Sequence, residues 1–242
     1  MQQKLGLVCE KMVLCKMNNN YIFNPELTSI KINNSKKLFP VQRVFCIGTN
    51  YKEHAKEMKS KINKNPVLFI KPNQTISQDK IITLPKNSIE IHHEVELVAC
   101  IGVGGENISK KSARNHIYGY AVGIDLTKRD IQSKLKKSGK PWELSKVFNC
   151  SAPISNIQKY EGKILKNKII KLKINNRIRQ NSNTSRMIHD IESLISYISK
   201  HIPIVAGDLI FTGTPSGVSK LSPGDKLDAT IDGVGKLSVL FN

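Results

Sequence analysis

Apolar residues in this chain fall into short β-branched runs broken by Gly, Pro, Asn or Asp, a rhythm that predicts strands more often than helices. The run Val41–Ile47 predicts a strand that stops at Gly48, and Tyr51–Lys61 has the composition of a helix. From Pro66 onward, short strands are expected in VLFIKP, IITLP and IHHEVELVACIG. Ser109–Tyr118 reads as a helix capped by Ser109, after which GYAVGIDLT returns to strand. A basic helix opened by Thr127 is expected over Lys128–Lys137. Another is expected over Met187–His201, where Met187, Ile188, Ile191, Leu194, Ile195 and Ile198 recur at helical spacing. The last 40 residues alternate short strands with Gly, Pro and Asp turns. Many short strands with few helices predict an α+β, mainly β domain over residues 41–242, preceded by an irregular or weakly stranded extension over residues 1–40.

Composition narrows the class. A chain of 242 residues with 39% hydrophobic residues can build a core without disulfides, and it contains no apolar run of about 18 residues, so a transmembrane helix is not expected. The net charge is +19, concentrated in residues 128–180 with 15 basic and 3 acidic residues. Such a stretch can be an electrostatic footprint for a polyanion. Only 6 of the 38 cations are Arg, however, and neither aromatic–basic interleaving nor a helix-turn-helix pattern is present. The excess is therefore read as Lys-rich surface, with neither nucleic acid nor membrane as partner. Lys136, Lys137, Lys163, Lys166 and Lys168 in particular are read as surface lysines. Five Cys at irregular spacing, with no CxxC pair, exclude a zinc site and a disulfide framework and indicate a reducing compartment. The segment GLVCEKMVLC is interrupted by Glu10 and Lys11 and does not make a secretory signal; cytoplasm and mitochondrion both remain open.

Three constellations carry candidate chemistry. In His93-Glu94-Val95-Glu96-Leu97-Val98, strand alternation points Glu94 and Glu96 the same way. A bare ExE also fits a solvent-facing strand edge. Asp125, however, sits between Ile124 and Leu126, where a carboxylate is costly to bury unless paired or metal-bound, and it makes a natural third oxygen ligand for Mg²⁺ or Mn²⁺. On the helix after Asn50, His54 and Glu57 are three apart and face one another, as a general-base pair or as a simple helical ion pair. The third is Thr212-Gly213-Thr214-Pro215-Ser216-Gly217, whose amides and hydroxyls can hold a carboxylate; no GKS or GKT follows, so it is not a P-loop.

Six ordered blocks, CIGTNYKEHAKEM (46–58), LFIKP (68–72), IHHEVEL (91–97), GYAVGIDLTKRDIQ (119–132), GKPWELSKVFNCSAPIS (139–155) and GDLIFTGTPSGV (207–218), resemble the fumarylacetoacetate hydrolase family. The likeness is nearest to its short acylpyruvase and oxaloacetate decarboxylase branch, and it runs from about residue 41 to the C-terminus. It implies a mixed β-roll or sandwich with a few short helices, and a homodimer. It also implies Mg²⁺, or Mn²⁺, on Glu94, Glu96 and Asp125, with His54, Glu57 and Lys146 as catalytic residues. Arg129, Gln132, Thr214 and Lys71 are implied as substrate-binding residues, and His92 and His93 are expected to be structural.

The implied substrates are small 2-oxo acids, acylpyruvates and oxaloacetate. Carboxylate and adjacent carbonyl oxygens form a bidentate ligand, and an enolate at C3 is stabilised by the metal, Lys146 and Arg129. With an acylpyruvate, His54 assisted by Glu57 would activate water for cleavage of the C3–C4 bond. The expected activity is acylpyruvate hydrolysis and oxaloacetate decarboxylation, with oxaloacetate tautomerisation on the same groups as the alternative.

Overall fold

A computed structural model describes residues 22–23, 26–162, 165 and 167–242. The first half of the expected extension, with Cys9 and Cys15, lies outside the described residues. Two sheets dominate. A six-stranded sheet runs in the order Gln158–Lys159, Ile117–Ile124, Val95–Ile101, Leu209–Phe211, Arg43–Gly48, Val67–Pro72. A five-stranded sheet runs Arg177–Asn183, Ile169–Ile174, Lys226–Ile231, Gly235–Phe241, Ile81–Ile82. Most pairings are antiparallel; Leu209–Phe211 lies parallel to Arg43–Gly48, and Ile81–Ile82 parallel to Gly235–Phe241.

The sheets meet through one apolar cluster. Leu97, Ala99, Val122 and Ile124 of the first pack with Ile170, Leu172, Leu227, Ala229 and Val239 of the second. The opposite face of the first sheet is also covered. There Val44, Cys46, Val98, Cys100, Ala121 and Phe211 pack with Ile30, Phe39, Val41, Ile154 and Ile157. Burial on both faces explains why all seven residues of Val95–Ile101 are buried, and why its hydrophobic pattern is continuous rather than alternating. Ser29–Lys31 and Leu38–Pro40, in the weakly stranded arm, form an antiparallel pair whose Ile30 and Phe39 join the cluster on that opposite face.

The helices are shorter than their sequence patterns. Helix α1 is Lys52–Glu57 rather than 51–61, because Lys59 takes a left-handed conformation (φ 48°) and Ser60 N–H donates to Ala55 O, closing the helix in a Schellman-type turn. Helix α2 is Arg129–Lys137; Thr127 does not cap it but lies with Lys128 in a two-residue strand paired to Ile91–His92. Helix α3 is Glu143–Lys146. The helix expected over Ser109–Tyr118 is a turn followed by a 3₁₀ turn, Ala113–His116. Ser109 Oγ does accept from Ser112 N–H, but Ile117 and the residues after it are drawn into the central sheet. Helix α4 is Ile191–His201, four residues later than the apolar spacing suggests. Met187 and Ile188 instead pair with the segment before α1, Ile188 N–H donating to Asn50 O at 2.8 Å. No helix among the described residues is long and apolar enough to cross a membrane.

Asp190 determines where α4 starts. Its side chain accepts from Ser193 N–H at 2.9 Å and pairs with Lys110 at 2.8 Å, and these partners hold its carboxyl below the usual range despite partial burial. Asp190→Ala should destabilise the protein by about 1 kcal/mol, lowering Tm by ~2–4 °C in a calorimetric scan. An unchanged Tm would show that the cap contributes nothing.

Candidate active site

Strand register builds the centre of the site. Val95–Ile101 pairs antiparallel with Ile117–Ile124 so that Glu96 opposes Gly123, and Asp125 N–H donates to Glu94 O at 2.9 Å. Alternation then puts Glu94, Glu96 and Asp125 on one face, the face of Val98 and Ala121. Gly123 has to be bare there: a Cβ would stand 2.5 Å from Phe211 and 2.6 Å from Val98. The three carboxylates are buried, each with an oxygen within 4.8 Å of the others.

Cations close around two of them. Lys146, the last residue of α3, donates to Glu94 Oε2 at 2.9 Å, Asp125 Oδ2 at 2.5 Å and Thr127 Oγ1 at 2.7 Å. Arg129, the first residue of α2, donates to Glu94 Oε1 and to Gln132 Oε1. Burial alone would raise the Glu94 carboxyl, but Lys146 and Arg129 hold it well below the usual range. Burial likewise disfavours the Lys146 ammonium, yet Asp125 and Glu94 push it up to about 12. Glu96 has a different environment. Its hydrogen-bond partner is the backbone N–H of Gly213 at 2.7 Å, and burial together with the charges of Asp125 and Glu94 raises its carboxyl well above the usual range.

The loop Thr212–Gly217 is stitched along the ligand strand. Thr212 donates to Leu97 O, and Thr214 Oγ1 donates to Val95 O at 2.8 Å. Gly213 presents its N–H to Glu96 at φ 90°, with Asn50 Cβ only 2.6 Å from where a side chain would begin. Asn50 ties this loop to α1 and α4, donating to Thr212 O and His189 O while accepting from His189 N–H. On α1, His54 Nδ1 lies 2.9 Å from Glu57 Oε2, and Glu57 Oε1 accepts from Gly217 N–H at 2.9 Å. Partial burial opposes ionisation of Glu57, but His54 and Gly217 bring its carboxyl below the usual range. An ionised Glu57 accepting at Nδ1 leaves His54 Nε2 as the basic nitrogen.

Nine of the ten site residues expected from sequence gather here. His54, Glu94, Glu96, Asp125, Arg129, Gln132, Lys146 and Thr214 line one narrow cleft, and Glu57 stands directly behind His54. Lys71 is the exception. It is fully buried behind Asp125, 2.7 Å from Oδ1, and donates to Ser151 O and Leu126 O, so it supports a carboxylate instead of facing the pocket. His93 is structural as expected: burial lowers it to about 4, and it is held between Gln180 and Ser219. His92 lies between Glu90 and Arg129. Gln180 escaped the sequence reading. Fully buried, it accepts from Val95 N–H and donates to Thr214 Oγ1 and Pro215 O, locking the loop to the strand. Nothing in RIRQNSN distinguishes it from its exposed neighbours. Lys136 is exposed, as read, and also borders the cleft beside Trp142. A roomier cavity of about 280 Å³ lies on the far side of the sheet, lined by Leu97, Arg114 and Tyr120, remote from the carboxylates.

The donor set fits a divalent cation. It is all oxygen, which suits Mg²⁺ or Mn²⁺. Among the described residues, Glu96 has no cationic partner within ion-pair distance, and buried Asp125 Oδ1 receives no well-aligned hydrogen bond although Lys71 Nζ is 2.7 Å away. The Glu96 oxygen that does not face Gly213 is therefore open to a metal.

Comparison with known proteins agrees with this geometry. The family model described as "Fumarylacetoacetate (FAA) hydrolase C-terminal" matches residues 43–241. The oxaloacetate tautomerase YcgM of Escherichia coli (strain K12) is 42% identical over 199 residues, covering 81% of this chain and 90% of that protein. A mitochondrial oxaloacetate tautomerase of Mus musculus is 41% identical, covering 80% of this chain and 88% of its own. The crystal structure of fumarylpyruvate hydrolase from Pseudomonas aeruginosa, in complex with Mn²⁺ and pyruvate, superposes with a TM-score of 0.88 at 37% identity. That superposition covers 92% of this chain and 99% of the other.

The crowding of Glu96 leads to paired expectations. Glu96→Gln removes a repelled carboxylate while keeping an acceptor for Gly213, so the metal-free protein should gain about 1 kcal/mol, or ~2–4 °C in Tm. The same variant should lose most of the Tm increase that Mn²⁺ gives the wild type. A variant that keeps that increase would remove Glu96 from the ligand set.

Proposed function

This chain belongs to the fumarylacetoacetate hydrolase family, and we propose that it is a divalent-metal-dependent enzyme interconverting the enol and keto forms of oxaloacetate. The observation that carries this reading is a single cleft holding three carboxylates, the Lys146 ammonium and a His54–Glu57 pair. Support comes from the oxaloacetate tautomerases at 41–42% identity.

Glu94, Glu96 and Asp125 would hold Mg²⁺ or Mn²⁺, which supplies positive charge to polarise the 2-oxo group of a chelating substrate. The chain's own groups do the rest. Arg129 and Lys146 present positive charge on the side where an enolate oxygen and carboxylate lie, inside a site with little room for water. Thr214 stands on the wall with its hydroxyl committed to Val95 O, so it shapes the cleft and holds the loop in place. His54 Nε2 exchanges the proton: it accepts from one tautomer and, as imidazolium held by Glu57, returns a proton to C3 or to oxygen. Glu57, fixed by Gly217 N–H, orients the ring and stabilises its charged form.

Acylpyruvate hydrolysis is the second reading, favoured by the intact His54–Glu57 pair and the fumarylpyruvate hydrolase likeness. Here His54 takes a proton from water as its oxygen adds to the distal carbonyl. The C3–C4 bond then breaks, its electrons passing to the pyruvate enolate; C3 is protonated, and a carboxylic acid leaves. Oxaloacetate decarboxylation would generate the same enolate without hydrolytic water.

Two assays separate these readings: decay of enol-oxaloacetate absorbance without pyruvate, and pyruvate release from acetylpyruvate, each with Mg²⁺ or Mn²⁺ and with chelator. Chelator should abolish turnover, and metal-independent turnover would remove the carboxylates from their role. His54→Ala should reduce the catalysed rate ~10²–10⁴-fold, and more for hydrolysis than for decarboxylation. Loss within twofold would exclude His54 as the base.

A further inference from the structure

One cation on the cleft wall is left over by this chemistry. Lys146 and Arg129 are paired with Glu94 and Asp125, whereas Lys136 forms no ion pair with any carboxylate among the described residues. Its ammonium stands 4.6 Å from the Trp142 ring centre. That ring is a firm platform: Trp142 packs on Phe69 with ring centres 6.0 Å apart, and against Gly48, where a Cβ would come within 3.1 Å of it. Partial desolvation and the neighbouring Arg129 charge lower Lys136, as expected of an ammonium without its own anion.

Lys136 and Trp142 also line a second, more open groove, with Thr49, Ser60, Lys61, Asn63, Val67, Gly139 and Lys140. Its charged side chains are Lys61, Lys136 and Lys140, with no acid among them. The pair thus lines both the carboxylate-lined cleft and a groove of about 470 Å³ whose charged residues are all cations.

Resting on the reading that 2-oxo acids bind this cleft, we infer that Lys136, held on Trp142, binds the second carboxylate of dicarboxylic 2-oxo acids and sets the preference for them. A monocarboxylic 2-oxo acid uses the inner groups alone. A dicarboxylic one adds a charge-assisted hydrogen bond at the mouth, and longer chains direct their far carboxylate toward the groove. Lys136 is a specificity residue and takes no part in proton transfer.

The test compares ligands with and without that carboxylate, the calorimetric pair differing in it alone. With Mn²⁺-loaded protein, calorimetry gives dissociation constants for 2-oxoglutarate and for its monocarboxylic counterpart 2-oxovalerate. Kinetics give kcat/KM for fumarylpyruvate and acetylpyruvate hydrolysis. In Lys136→Met the dicarboxylate-to-monocarboxylate ratio should fall about tenfold, mainly through KM, and Lys136→Arg should restore most of it. Lys136→Gln serves as the second neutral variant. An unchanged ratio, or equal losses for both ligands, would overturn the assignment. A wild type that turns over no 2-oxo acid would overturn the proposed activity instead, while the binding ratios still decide for or against Lys136.

Discussion

Glu94, Glu96 and Asp125 are held within 4.8 Å of one another in a buried site, and the rest of the structure is organised around their repulsion. At an effective dielectric of about 20, two unit charges at that distance repel by on the order of 3 kcal/mol. No fold would gather three such groups without compensating charge. Lys146 and Arg129 supply it from the two short helices that follow Asp125, and Lys71 supplies it from the neighbouring side of the sheet. Glu96 receives only a backbone N–H, which is why its environment favours the protonated form while that of Glu94 favours the ionised one.

That asymmetry depends on how rigidly the sheet is framed. Both faces of Val95–Ile101 are packed, so the strand cannot relax to separate its carboxylates. Gln180 and Thr214 fasten the Thr212–Gly217 loop to Val95, and Asn50 fastens the same loop to the start of α1. The His54–Glu57 pair on α1 is tied to this frame as well, through Glu57 and Gly217 N–H. The three carboxylates and the His54–Glu57 pair thus belong to one hydrogen-bonded unit although they lie far apart in sequence.

Much of this was legible before the fold. Period-two alternation put Glu94 and Glu96 on one face, the apolar flanks of Asp125 made it conspicuous, and the three-residue spacing of His54 and Glu57 paired them. What was not legible follows from geometry that a linear pattern does not carry. Lys71 and Lys136 are both lysines near site motifs. Their positions behind Asp125 and on the cleft wall depend on strand pairing and on the packing of α2 against α3. Gln180 lies on a strand whose other residues are mostly exposed, and only the approach of the Thr212–Gly217 loop buries it. The apolar spacing from Met187 ran past the true start of α4 because Met187 and Ile188 bridge to residues 50 and 51, contacts that resemble helical periodicity by coincidence.

The charge count at the centre also bears on the kind of ligand the cleft can hold. Counted with all three carboxylates ionised, as a bound metal would hold them, they face three buried cations, Lys71, Lys146 and Arg129. A divalent cation added alone would leave two uncompensated positive charges in a poorly solvated site, and a dianion added alone would leave two negative ones; each is costly. Added together they cancel, so the arrangement favours a metal and a dianionic ligand as a pair over either one singly. A monocarboxylic 2-oxo acid leaves one positive charge over, and Lys136 at the mouth would add to that excess. For a dicarboxylic acid the same lysine is attractive. On the proposed reading, the large positive charge of the chain matters through a few residues at the cleft, where it would select for ligand charge, and much less through its sum.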